Sequence, residues 1–156
     1  MDILLLSRDD SCRSRIAAAL LGSFGRGIKY HTAGLSPTVA VSDRLVSLAR
    51  EWGLELSIQH PADLADFVGR PWDCVVTLCP EVERIVKDIP IQASYYQAFD
   101  FADLIPALQR EPVDTEGLEA QYEVMRRQLY RFYRDILVDW VMPLCTCGAN
   151  TYCRCE

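Results

Sequence analysis

Apolar residues in this chain follow two rhythms. Ile3 to Leu6 form an unbroken run, and Trp72-Asp73-Cys74-Val75-Val76-Thr77-Leu78-Cys79 is apolar at most positions. Runs of this length without strict alternation predict strands covered on both faces. Ile28-Lys29-Tyr30-His31-Thr32, ending at Ala33-Gly34, reads as another strand, and Ser94 to Phe101 as a fourth. Elsewhere the spacing turns helical. Ile16-Ala17-Ala18-Ala19-Leu20-Leu21 opens one helix, which Gly25 and Gly27 break. Leu45, Leu48 and Ala49 share the face of a second, from the N-cap candidate Ser42 to Trp52, with Gly53 as its stop. Pro61 to Phe67 predicts a short helix, and Pro80 begins one directly after the third strand. The last helix is the longest, from about Thr115 to Met142. Its stripe is Leu118, Tyr122, Met125, Leu129, Phe132, Ile136, Leu137, Trp140 and Val141, and Pro143 follows.

Strands alternating with helices predict right-handed crossovers and an α/β fold: a four-stranded parallel, doubly wound sheet with helices on both faces. Ligands in such folds sit at the carboxyl ends of the strands. The expected division is one domain over residues 1–142 and a Cys-rich C-terminal tail over residues 143–156. The stretch Ile105 to Asp114, with Pro106 and Pro112, is expected to be a mobile loop.

Charge narrows the classes of partner. The 156 residues carry a net charge of −6, and no Lys/Arg cluster interrupts that balance. Nucleic acid is therefore not expected as a partner. No apolar run reaches spanning length and no secretory leader is recognisable, so no membrane partner and a cytoplasmic location are expected. In that setting the seven cysteines read as thiols, ligands or redox groups and not as a disulfide framework.

Candidate chemistry concentrates between the first strand and the first helix. Ser7-Arg8-Asp9-Asp10-Ser11-Cys12-Arg13-Ser14 links them. A loop feeding a helix N-terminus aims unpaired N–H groups and the positive end of the helix dipole at one point, which suits an anion. Arg13, on the first turn, adds a guanidinium that can clamp a tetrahedral oxyanion.

The spacing Ser7-x5-Arg13-Ser14 resembles the Cys-x5-Arg-Ser loop of the low-molecular-weight tyrosine phosphatase and thioredoxin-coupled arsenate reductase family, with Ser7 at the nucleophile position. Further stretches carry the resemblance over roughly residues 1–141. Thr32-Ala33-Gly34 is similar to the family's Ser-Ala-Gly. Glu51-Trp52-Gly53-Leu54-Glu55-Leu56-Ser57 resembles its Glu-x-Gly-hydrophobic-Asp-hydrophobic-Ser. Asp73 to Cys79 resembles the strand that ends in a redox cysteine in arsenate reductases, and Phe99 to Leu104 the stretch before the general acid.

The resemblance implies an anion site at Arg8, Ser11, Cys12, Arg13 and Ser14. It also implies Asp103 as general acid, although Leu104 replaces the proline that follows the acid in the family. Cys79 falls at the first relay thiol, Val86 at the second, and Cys12 at the second cysteine of the loop. A Cys12–Cys79 disulfide is conceivable on this register, while burial as a small hydrophobe is the competing reading for both, and for Cys74. The substitution at Ser7 changes the chemistry. A thiolate is a nucleophile near neutral pH, whereas a hydroxyl needs an adjacent base, and only His31 and His60 are available. Asp9 and Asp10, within the loop, are expected to repel an anion and offset Arg8 and Arg13.

The tail holds Cys145, Cys147, Cys153 and Cys155. Two Cys-x-Cys pairs around a Gly-Asn turn predict a four-thiolate zinc site, with an oxidisable terminus as the plainer alternative. No organic cofactor is expected. The leading reading is a catalytically impaired member of this fold acting as a binding or regulatory module, with a small oxyanion (phosphate, sulfate or arsenate) and an unknown protein as partners. The alternative is an active phosphatase or arsenate reductase, either with Ser7 as an engineered trap or with redox chemistry through Cys12 and Cys79.

Overall fold

The structure is a computed structural model, and residues 1–37 and 40–141 are described. Four parallel strands, β1 (Asp2–Ser7), β2 (Lys29–Gly34), β3 (Pro71–Thr77) and β4 (Gln92–Ala98), form one sheet in the order β2-β1-β3-β4. β1 lies inside the sheet and pairs on both sides, from Asp2↔Lys29 to Ser7↔Gly34 and from Ile3↔Cys74 to Leu6↔Thr77. Its unbroken apolar run follows from that position, because both of its faces are covered.

Alternate residues of β1 feed two cores. Ile3 and Leu5 join Ile16, Leu20 and Leu21 of α1 (Arg13–Phe24), Leu45 and Leu48 of α2 (Asp43–Glu51), and Leu118, Met125 and Leu129 of α5 (Thr115–Phe132). Leu4 and Leu6 face the other way, toward Leu64, Trp72 and Val82 and Val86 of α3 (Pro80–Val86). Each such side chain, taken fully from water, contributes about 1.5–3 kcal/mol. The buried stripe of α5 is Leu118, Tyr122, Met125, Leu129 and Phe132, and Tyr122 stacks on Trp52 at 4.3 Å between ring centroids. Ser42 caps α2 as expected, its hydroxyl accepting from the Leu45 N–H.

Three expectations need correction. Only Leu64–Phe67 of the stretch after Pro61 is helical, as a single 3₁₀ turn that Asp63 caps. Ile105–Leu108 is a helical turn, α4, and not an open loop: Leu108 is buried and its carbonyl accepts from Arg44 Nη1 at 3.1 Å. The long final helix is continuous to Val141 but not uniform. After Phe132 it widens into a π turn over Tyr133–Leu137 before α6 (Val138–Val141). The Cys-rich tail lies outside the described residues. No described helix is long and apolar enough to cross a membrane.

The carboxyl ends of β1 and β2 meet at Ser7 and Gly34, and the loop to α1 starts there. The fold therefore places the Ser7–Arg13 segment at the position where parallel sheets bind ligands.

Candidate anion-binding site

Cys12 is the N-cap of α1 and makes no side-chain cap, and no acidic residue occupies the first turn. The positive end of the helix is thus left uncompensated by its own residues. Among the described residues, the N–H groups of Arg8, Asp9, Ser11, Cys12 and Arg13 donate to no protein acceptor, while that of Asp10 donates to Ser7 Oγ at 3.1 Å. The buried Ser11 hydroxyl likewise has no partner. Arg13 is buried at the first turn and its Nη1 donates to the Phe101 carbonyl at 3.1 Å. That bond reaches from α1 to the segment after β4 and fixes where the guanidinium stands.

The loop turns on Asp10, which is fully buried and holds a left-handed φ of 51°. Its carboxylate does not enter the cradle. One oxygen accepts from Ser14 Oγ at 2.8 Å, and the other from Arg15 Nη2 at 2.9 Å and from the Ala62 N–H at 2.9 Å. Arg15 is 4% exposed and also donates to the carbonyls of Asp10, Ser57 and His60 and to the Ser57 hydroxyl. The expectation that Asp10 opposes an anion is therefore corrected: a buried guanidinium compensates its charge, and its acceptors are occupied. Asp9 lies 3.5 Å from Arg8, which is half exposed and also 3.9 Å from Glu81.

Gly34 supports the loop from β2. A Cβ there would meet Arg8 O, Asp10 N and Asp9 C at 2.9 Å, so the strand end and the loop backbone pack together without room for a side chain. The Ser36 N–H donates to the Arg8 carbonyl at 2.9 Å and adds a second tie.

Ser7 sits at the floor, 2% exposed. Its hydroxyl donates to Ser14 Oγ at 3.1 Å, and Ser14 donates onward to Asp10. Neither histidine takes part. His31 binds Asp2 at the opposite end of the sheet, 2.8 Å away, and His60 meets Arg15 through its carbonyl. The Ser7–Ser14–Asp10 chain ends on a carboxylate whose oxygens already accept from Ser14, Arg15 and the Ala62 N–H.

The remaining residues named from the sequence divide. Asp103 is exposed and accepts from the Ile105 N–H at 3.1 Å, which starts α4. Its charge still reaches the loop, because it is among the groups that raise the Cys12 thiol. Burial is the larger cause, and together they push that thiol up to about 12. A thiol held neutral at pH 7 is not a nucleophile. Cys12 and Cys79 pack in clusters on opposite faces of the sheet and both are free thiols, so the conceivable Cys12–Cys79 disulfide is not formed. Val86, at the second relay position, is a buried core residue. Cys74 is buried between strand and helices, and burial pushes it up to about 12 as well. Cys145, Cys147, Cys153 and Cys155 lie outside the described residues. Among the described residues no three His, Cys, Asp or Glu side chains gather to hold a metal.

Reading the sequence missed Arg15, Ser57, His60 and Ala62 as supports of the loop. Arg15 follows Ser14 directly, but nothing local pairs it with Asp10 or with a segment more than forty positions away.

Comparison with family models and with curated proteins gives no match. Solved structures do match. A low-molecular-weight protein tyrosine phosphatase from T. tengcongensis superposes with a TM-score of 0.69 at 18% identity, covering 87% of this chain and 99% of that one. An arsenate reductase in its phosphate-binding state gives 0.63 at 18% identity, over 86% and 98%. Vibrio vulnificus Wzb in complex with benzylphosphonate gives 0.66 at 11% identity, over 86% and 98%. At these identities the likeness establishes the fold: this chain has the fold of low-molecular-weight phosphatases and arsenate reductases.

Two predictions follow from this geometry. Replacing Arg15 with Met strands the Asp10 carboxylate in the core and should destabilise the protein by about 3–5 kcal/mol. Adding Asp10→Asn to that variant should recover part of the loss, and urea unfolding of the parent, both single variants and the double variant completes the double-mutant cycle. A second measurement tests the buried thiols. The Cys12 and Cys74 pKa values are raised in the folded state, from an ordinary value of 9.0 to about 12. Their contribution to stability is therefore complete below about pH 9 and is lost as pH rises toward 12. In native protein at pH 8, mass-spectrometric mapping after iodoacetamide should find both unmodified.

Proposed function

We propose that this protein is a non-hydrolytic oxyanion-binding module built on the phosphatase fold, with the Ser7–Arg13 loop as receptor. One observation carries the reading. The loop keeps free amide N–H groups and a buried arginine, while the nucleophile position holds a neutral hydroxyl that no histidine contacts. The ligand class is a tetrahedral oxyanion, free or as a monoester. Backbone donors, the Ser11 hydroxyl and Arg13 supply its contacts, and the α1 dipole adds to the field. Ser14 and Arg8, both expected as ligands, are held by Asp10 and by Asp9 with Glu81, so their side chains act as supports. Two structural neighbours, the arsenate reductase in its phosphate-binding state and Wzb in complex with benzylphosphonate, support this class. Asp103, beside the loop, has no leaving group to protonate without a nucleophile. The reading includes a protein partner that carries or responds to the anion.

A neutral serine also removes a negative charge that a thiolate would place under the anion, which favours binding and forfeits turnover. Expected outcomes are no hydrolysis of p-nitrophenyl phosphate and one phosphate bound per chain by calorimetry, with affinity at least tenfold lower in Arg13→Met. Absence of any phosphate binding would overturn the receptor. Vigorous turnover by Ser7→Cys would instead identify an enzyme whose nucleophile had been removed.

The tail belongs to the proposal on its sequence pattern: Cys145, Cys147, Cys153 and Cys155 close one tetrahedral thiolate site for zinc. The purified reduced chain should then carry about one zinc, lost on acidification or chelation. A chain truncated after Met142 with the same metal content would remove the site.

A further inference from the structure

Both outer strands of the sheet have an unpaired side, and the chain treats the two differently. β2 carries Lys29 at its start, and its far end is covered: the Gly34 N–H donates to the Ala62 carbonyl at 2.9 Å, and Gly34 bridges Asp63. β4 has neither device. It pairs only with β3, and from Ile89 to Phe99 the chain holds no charged residue. The Phe99 N–H donates to the Thr77 carbonyl at 2.8 Å, so odd-numbered residues of β4 turn their backbone groups toward β3. By the two-residue period, Gln92, Ser94, Tyr96 and Ala98 turn theirs outward. Among the described residues, no acceptor beyond the sheet takes their N–H groups. The Ala98 carbonyl accepts from the Gln97 amide at 3.1 Å, which leaves it a second lone pair. Sheets guard such an edge with lysine, proline or a covering segment, because a bare edge is a template for another strand.

The residues of β4 indicate which strand that is. Gln92-Ala93-Ser94-Tyr95-Tyr96-Gln97-Ala98 is complementary to itself when two copies run antiparallel about Tyr95. Gln92 faces the partner's Ala98, Ala93 the partner's Gln97, and Ser94 the partner's Tyr96. A large side chain meets a small one at each of these positions. Only Tyr95 meets its own copy, in a non-hydrogen-bonded pair where an aromatic contact is favourable. Charge agrees with this pairing. Each chain carries −6, and the uncharged strip lets two copies meet without like charges in register. Charges beside the strip come in opposite signs: Glu83 with Lys87 toward α3, and Arg131 with Asp135 toward α5. Those residues border hollows of about 410 and 320 Å³ on the two faces of β4, so the helices leave clearance for a further strand.

We infer that the β4 edge is a self-association surface: two copies pair β4 antiparallel about a two-fold axis at Tyr95, joining their four-stranded sheets into one. The anion loop lies at the end of β1, with β3 between it and this edge, and the inference does not rest on how that loop is read.

Sedimentation velocity of the full chain should show a monomer–dimer equilibrium within the micromolar range, as expected for an interface of modest area. Hydrogen exchange followed by NMR should slow at the Ser94, Tyr96 and Ala98 amides as concentration rises, and not at Tyr30 or Thr32 of β2. Ser94 is exposed, so Ser94→Lys and Ser94→Glu should each keep the parental Tm. Either alone should weaken dimerisation at least tenfold, because the axis brings the two copies of residue 94 to diagonal positions on one face. An equimolar mixture of the two variants should recover the dimer, since opposite charges meet across the axis. A full chain monomeric throughout that range would leave the edge to another occupant, the chain's own tail or a foreign strand, and overturn the proposal. Dimerisation unchanged in Ser94→Lys would place the interface elsewhere and overturn it as well. A mixture no better than either variant alone would refute the antiparallel register about Tyr95.

Discussion

The buried pair of Asp10 and Arg15 is the constraint on which the loop depends. Asp10 takes a backbone conformation that L-residues seldom adopt, and three donors from two segments keep it there: Ser14 and Arg15 of α1, and the Ala62 N–H. Arg15 in turn binds carbonyls of Ser57 and His60. One ion pair thus ties the β1–α1 loop to the segment that runs beside β2. Such a pair adds little net stability over an apolar substitute, because both charges lose their water. Its effect is on shape. With Asp10 held outward, the neighbouring N–H groups remain available to a ligand.

Seen against this pair, the serine at the nucleophile position has a consistent setting. Ser7 is one link in a chain of hydroxyls that ends on Asp10, and each member has its proton placed by the next. The chain orders the loop floor, and no histidine belongs to it. Cys12 follows the same logic from the other side of the loop. Its thiol serves as core volume at the start of α1, and burial keeps it protonated. In the function proposed above, binding and nucleophilic chemistry are separate: the donors for an anion are main-chain and arginine groups, which do not need a nucleophile to be present.

The sheet supplies two environments within a few residues of each other. At its carboxyl end the β1–α1 loop presents polar backbone, while on the face toward α3 the last residue of β3, Thr77, is buried among apolar side chains. The period-two alternation of β3 separates them. Val76 and Leu78 face α1 and α5, and Val75 and Thr77 face α3.

Much of this could be read from the chain itself, wherever local rules decide. The unbroken run Ile3–Leu6 announced a central strand, Ser42 and Pro80 announced helix starts, and the stripe from Leu118 to Phe132 announced the face of α5. The loop and its arginine were legible for the same reason, since a strand, a short polar link and a helix create the anion cradle locally. What tertiary structure alone decided was the direction of charge. Asp10 looked like a repulsive group inside the cradle, and only folding brought Arg15, Ser57, His60 and Ala62 around it. The opposite placement of Cys12 and Cys79 was equally hidden. Periodicity reports which face a residue takes, whereas the partner it meets there comes from segments far away along the chain.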